Sequence, residues 1–335
     1  MIVLARESRG ITQLDLANKI AMSKANLSKI ESGDIGVSAD SIELIAQATH
    51  YPVSFFEQNN DVYPEHLIYR KRDNVAQKLL TPLNAKVNVV RLNIQYLLKM
   101  LKLDNPALPM YEVDEQNTPA IIAQKVRKAW KITLPVIDNT TKLLEEKGIA
   151  VTSFDFGTER VDSRCTLTEN KYPIIIFNNT LYGDRQRFSL IFQLAHLVMH
   201  TTGSISWDRD VAHEANLFAA EFLMPEKDIR PDFENGINLP LLGELKRKWK
   251  VSMISLLYRA DDLGFLTPNQ KKYLIQQFNE QKMRRREPVE LDVPVEKPAM
   301  VRKWIADFKT KQKLDVKDVA SHFHLNTDEF IELYN

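Results

Sequence analysis

From Arg187 to His200 the chain reads RFSLIFQLAHLVMH and ends in two histidines four residues apart. The segment reads as an apolar helix, on which residues four apart share a face. Two imidazoles so placed can reach one zinc ion, with further ligands drawn from elsewhere in the chain. His213 and Glu214, on the next helical segment, are candidates for that supply. Peptide hydrolysis at such a metal also needs a general base beside the bound water. Position 193 holds a glutamine, whose amide does not accept a proton at neutral pH. Histidine pairs on apolar helices commonly pack or hydrogen bond inside a core, and without a base this reading is favoured over a zinc site.

The elements around this helix must position it. KYPIIIFNN, just upstream, reads as a strand buried on both faces. TPAIIAQKVRKAWKI is an amphipathic helix, and ITLPVIDNTTKLLEEKGIAVTSFDF reads as a helix stopped at Gly148 and then a strand. A helix over 185–200 and another over 212–222 complete the region. The expected fold class is mainly α with a small β-sheet, that is, α+β.

Composition narrows the function classes. At 335 residues, two or three domains are expected; 44% apolar and 27% charged residues suit an ordinary globular protein. No apolar run reaches the ~18–20 residues of a membrane span. Arg6, Glu7 and Arg9 stand where a secretory signal would be apolar, so a cytoplasmic protein is expected. The single Cys165 excludes an internal disulfide and fits a reducing compartment. A net charge of +1 means that nucleic-acid binding must rest on a local basic face. The basic clusters Arg70-Lys71-Arg72 and Arg284-Arg285-Arg286 read as solvated surface.

The first 57 residues read as short helices with tight turns. Thr12 caps a helix from Gln13, with Asp15 as the capping-box partner, and Leu14, Leu16, Ala17 and Ile20 are its apolar positions. Ser23 caps a second helix, KANLSKIES, that buries Leu27 and Ile30 and ends at Gly33. Ser38 starts a helix with Ile42, Leu44, Ile45 and Ala48 inside.

Two short helices joined by a brief turn are a helix-turn-helix signature. ARESRGITQLDLANKIAMSKANLSKIESGDIGVSADSIELIAQATHYPVSFF resembles the Xre/Cro-type repressor domain along its whole length. That family's first helix usually begins several residues earlier, so the first helix is short here and Met1 need not be the biological start. The resemblance implies an all-α DNA-binding domain over 1–57, bound as a homodimer to a two-fold operator in double-stranded DNA. Its second helix would enter the major groove and present Ser23, Lys24, Ala25, Asn26, Ser28 and Lys29. Asn26 would read adenine, Lys24 and Lys29 would contact guanine or phosphate, and Gln13 would sit near a phosphate.

Residues 58–117 read as a helical connector, with Leu79, Val87, Val90, Leu97 and Leu101 in helical spacing before Pro106, Pro109 and Pro119. Residues 118–290 resemble the ImmA/IrrE family of metallopeptidase domains, a zincin-like α+β fold. The matching stretches are Trp130-Lys131-Ile132, LLEEKGIAV, the Val161-Asp162-Ser163 turn, YPIIIFNN, the helix from Arg187, EANLFAAEFLMP, LKRKWKVSMISLLYRADDLGFLT and the Arg-rich segment after it. In that family the helix carries His-Glu-x-x-His, a further His four residues on, and a third zinc ligand at the Glu of Glu-Ala-Asn. By resemblance the first His falls on Phe192, the base on Gln193, the second His on His196, the extra His on His200 and the third ligand on Glu214. The implied zinc site has lost one ligand and its base, so no enzyme and no cofactor are expected.

Zinc remains the alternative, in a shifted site of His196, His200 and either His213 or Glu214, with Glu221 as a base; the chain would then be a metallopeptidase that cleaves a repressor. A third reading is an antitoxin-like module that holds a partner protein. The favoured one is a DNA-binding transcriptional regulator whose degenerate peptidase-like domain senses a protein or small effector, or dimerises, with no membrane involved. In the tail, 291–335, VRKWIADFKTKQKL and VKDVASHFHLNTDEFIELY read as two amphipathic helices forming a cap or a dimer contact.

Overall fold

The computed structural model describes residues 1–58, 68–71, 75–201, 209–284 and 286–334. The N-terminal helices are α1 (Ile2–Ser8), α2 (Gln13–Lys19), α3 (Lys24–Ser32) and α4 (Ala39–Thr49). Each start is set by a short polar side chain. Thr12 and Asp15 form a reciprocal capping box on α2, Ser23 Oγ accepts from Asn26 N, and Ser38 caps α4. Gly33 ends α3 in the left-handed region at φ +81°. Leu16, Ala17, Ile20, Leu27 and Ile45 form the small core between these helices. Two expected core positions are exposed, Leu14 at 51% and Leu44 at 45%. Helical geometry gives the reason: Leu14 is about 200° around α2 from Leu16, and Leu44 about 100° around α4 from Ile45. Ile30 and Ile42, also expected inside, are half-buried and outside that core.

The described residues of the connector form one strand and one long helix, β1 (Ile68–Lys71) and α5 (Gln77–Leu101). Next come α6 (Pro119–Ala129), α7 (Thr140–Glu146), β2 (Ala150–Phe154), β3 (Val161–Leu167) and β4 (Pro173–Asn178). The sheet order is β1-β3-β4-β2, with β2 parallel to β4 and the other two pairings antiparallel. The expected Val161-Asp162-Ser163 turn is instead the start of β3. Its pairing with β1 slips there, because Lys71 opposes Val161 while Arg70 opposes Ser163.

The helix that carries the histidines is α8 (Gly183–Met199), and every residue from Gln186 to Met199 is buried. It lies on one face of the sheet, and α5 covers the other. Alternation along β4 follows from this: Ile175 and Phe177 enter the core with α8, while Ile174 and Ile176 enter the core with α5. An uninterrupted apolar strand is what two covered faces require.

The chain continues through α9 (Val211–Leu223), α10 (Glu226–Phe233), α11 (Leu239–Trp249), α12 (Met253–Asp262) and α13 (Pro268–Glu280). The tail has three helices and not two: α14 (Met300–Gln312), α15 (Val316–His322) and α16 (Thr327–Tyr334). The break between the last two includes His324 at φ +54°. Trp304, Phe308, Phe323, Phe330 and Tyr334 from the tail share one core with Val90, Ile94 and Leu97 of α5 and with Leu4 of α1. The segment before α14 is laid across the start of α8. A Cβ on Gly183 would meet the carbonyl oxygens of Val293 and Pro294, so only glycine lets that backbone pass. Arg187 of α8 pairs there with buried Glu296.

Two basic clusters were expected on solvated surface; the structure corrects this at Arg70, while Arg284 is exposed. The Arg70 guanidinium lies 4.5 Å from the Phe188 ring centre, and Arg286 binds Asp292 while lying over Tyr182. Arg72 and Arg285 lie outside the described residues.

Candidate functional site

Phe192, His196 and His200 follow one another at one-turn intervals along α8 and its C-cap, with Gln193 next to Phe192. Phe192 is 3% exposed and meets the His196 ring edge-on, with ring centres 4.8 Å apart. Gln193 turns toward the sheet. Its Nε2 donates to Ser163 Oγ at 2.9 Å, and Ser163 in turn donates to the Ser189 carbonyl at 3.3 Å. The glutamine therefore ties α8 to β3 and makes no hydrogen bond to either histidine.

His196, His200 and Glu214 form a chain of hydrogen bonds. The two Nδ1 atoms are 2.7 Å apart, and His200 Nε2 is 2.8 Å from Glu214 Oε2. A carboxylate only accepts, so His200 Nε2 carries a proton; in the neutral ring its Nδ1 then accepts from His196 Nδ1. Burial, reinforced by the neighbouring His200, pushes His196 down to about 3, and burial also lowers His200. Burial works against the charge on Glu214, but hydrogen bonds from Arg209 and His200 outweigh it and hold the carboxyl below its ordinary value. Arg209 grips both Glu214 oxygens, at 2.9 and 2.5 Å.

These residues do not fit zinc. Both nitrogens of His200 are engaged by neighbours, and the Glu214 carboxylate faces a guanidinium where a ligand would face a metal. Among the described residues His196 Nε2 is buried with no hydrogen-bond partner, and one such nitrogen falls short of the three protein ligands of a catalytic zinc. The other candidates lie apart. His213 is exposed and its backbone N–H is capped by Asp210. Glu221, the candidate base, is buried in an ion pair with Arg259; it also accepts from Gln124 and from the backbone of Glu226. It thus caps α10 and is not poised for proton transfer. Nothing in the sequence marks Arg209; only the fold brings it to Glu214, five residues on.

The second candidate surface is α3. Ser23, Lys24, Ala25, Asn26, Ser28 and Lys29 are all exposed. Gln13 is not free in the same way: its Nε2 donates to Glu31 at 2.9 Å, and Arg6 pairs with the same carboxylate at 2.7 Å. Glu31 thus ties the start of α2 to the end of α3 and to α1, fixing the angle at which α3 is presented.

Residues 2–56 match the helix-turn-helix family, and residues 144–261 match the IrrE N-terminal-like domain family. The chain is a helix-turn-helix domain of the DNA-binding, transcription-regulating type fused to an IrrE-like domain. No curated protein matches it. Among the described residues no helix is long and apolar enough to cross a membrane.

Proposed function

We propose that the chain is a sequence-specific DNA-binding regulator whose IrrE-like domain binds and does not cut. The observation that carries this is the combination at α8: a buried aromatic ring at 192, an amide at 193 turned toward Ser163, and Glu214 held by Arg209. Among the described residues no group there is placed to take a proton from an attacking water. The exposed face of α3 supplies the DNA contact, as a two-fold dimer on a two-fold operator.

Selection from random duplexes by the full-length protein tests the regulator reading, and is expected to enrich one two-fold site. Asn26→Ala then weakens that site by ~1–3 kcal/mol and leaves non-specific binding in place. Lys29→Ala weakens all duplexes alike and lowers the salt slope by about one. Failure to enrich any sequence at low salt would refute the reading. Metal analysis addresses the domain. Near-stoichiometric zinc in the purified protein, or peptide cleavage abolished by a chelator, would restore the peptidase alternative.

A further inference from the structure

Strand β1 comes from the connector and completes the sheet at the outer edge of β3. An edge of this kind offers a row of backbone donors and acceptors to any extended segment. Beside that edge lies a pocket for one side chain. Arg70 fills it, with its guanidinium 4.5 Å from the Phe188 ring centre and 5.4 Å from that of Phe192. Its Nη1 donates to Ser189 Oγ at 3.2 Å, and its Nε is 3.9 Å from Asp162. Asp162 is itself buried and also binds Arg185. Two aromatic faces, a hydroxyl and a carboxylate are together a receptor for a guanidinium, which stacks and donates at once; an ammonium does only part of this.

Phe192 thus has a role beyond filling space. It is one wall of this receptor and at the same time touches His196. We propose that the β3 edge with Phe188, Phe192, Ser189 and Asp162 is a docking site for an extended segment bearing an arginine. Residues 68–71 occupy it in this chain, and a partner protein binds by adding a strand of the same chemistry in their place. Backbone pairing along β3 supplies the general affinity, and the arginine pocket sets the register. The inference rests on the reading of the IrrE-like domain as a binding body and names the kind of partner it takes.

The probe is a fluorescent peptide containing Ile68–Lys71 between two glycines at each end, added to the full-length protein. Arg70→Ala in the protein loosens the occupant, and this variant is expected to bind the peptide at least tenfold more tightly than the unmodified chain. A peptide with alanine in place of its arginine is expected to lose that binding at least tenfold. Phe192→Leu, added to the Arg70→Ala protein, is expected to weaken it by a similar factor, with thermal melting showing that the variant is folded. Hydrogen exchange gives a second readout: within 68–71 the alternate amides that bond to β3 are protected in the unmodified protein and exchange faster after Arg70→Ala. Peptide binding indifferent to the arginine or to Phe192, no binding to the Arg70→Ala protein, or unchanged exchange at those amides would each overturn the proposal. None of these readouts involves DNA or hydrolysis, so loss of the regulator reading and loss of the docking site are separable.

Discussion

Gln193 is fully buried, with its Nε2 on Ser163 Oγ and, among the described residues, no hydrogen-bond partner for its Oε1. Gln193→Glu would put an acid in this place. It removes the donor to Ser163 and leaves a carboxyl group to be buried beside an oxygen. We expect a loss of about 1–3 kcal/mol in urea unfolding at pH 7; an unchanged or higher stability would show that the amide is not a structural tie. The histidines give a signature in pH. His196 is held neutral by burial, with its folded value near 3 against an ordinary value of 6.5. Its unfolded form binds the proton more readily, so the contribution is fully present above about pH 6.5 and is lost as pH falls toward 3. Stability is expected to drop by ~2 kcal/mol between pH 7 and pH 5 from this group. His196→Gln should flatten that part of the profile, and a slope identical in the variant would assign the loss to other groups.

At the scale of elements, turns are where single residues decide. Gly148 joins α7 to β2 at φ +83°, and a Cβ there would stand 2.6 Å from Pro106 Cβ. Gly148→Ala meets both a disfavoured backbone region and a proline ring, and should cost about 2–4 kcal/mol by thermal or chemical unfolding; a loss below 1 kcal/mol would mean that the 102–118 segment yields freely. The capped helices were legible because their signals are local: Thr12 with Asp15, Ser23, Ser38 and Gly33 act within one turn. β4 was legible because burial on both faces leaves an unbroken apolar run. β3 was not, since VDSRCTL sends Asp162, Arg164 and Thr166 into buried places, and the partner of Asp162, Arg185, comes from another element. β1 was hidden for the same reason: IYRK has no pattern of its own and is a strand only because β3 has an edge to offer. At the candidate site, the residues on α8 and α9 were readable from spacing and resemblance. The Arg209 clasp on Glu214, the Gln193–Ser163 tie and the Arg70 pocket depend on tertiary contacts that spacing does not encode.

At the scale of the molecule, the tail joins the DNA-binding helices to the rest. Arg9 at the end of α1 donates to both oxygens of Glu329 in α16, at 2.7 and 2.6 Å. The same guanidinium donates to the Thr49 carbonyl and lies 4.0 Å from the Tyr51 ring centre. Asn326 Nδ2 donates to the His50 carbonyl close by. Both members of the Arg9–Glu329 pair are mostly buried, at 20% and 11% side-chain exposure, so the pair keeps more of its energy than a surface one. A double-mutant cycle with Arg9→Ala and Glu329→Ala is expected to give a coupling of roughly 1–2 kcal/mol. Glu329→Ala alone leaves Arg9 half-buried without its carboxylate while α3 stays intact. If the contact fixes the two α3 helices of a dimer at one spacing, Glu329→Ala lowers affinity for the selected two-fold site and spares a single half-site. Equal loss on both would place the effect in the folding of the helix-turn-helix domain, and no loss on either would leave the tail without a part in DNA binding.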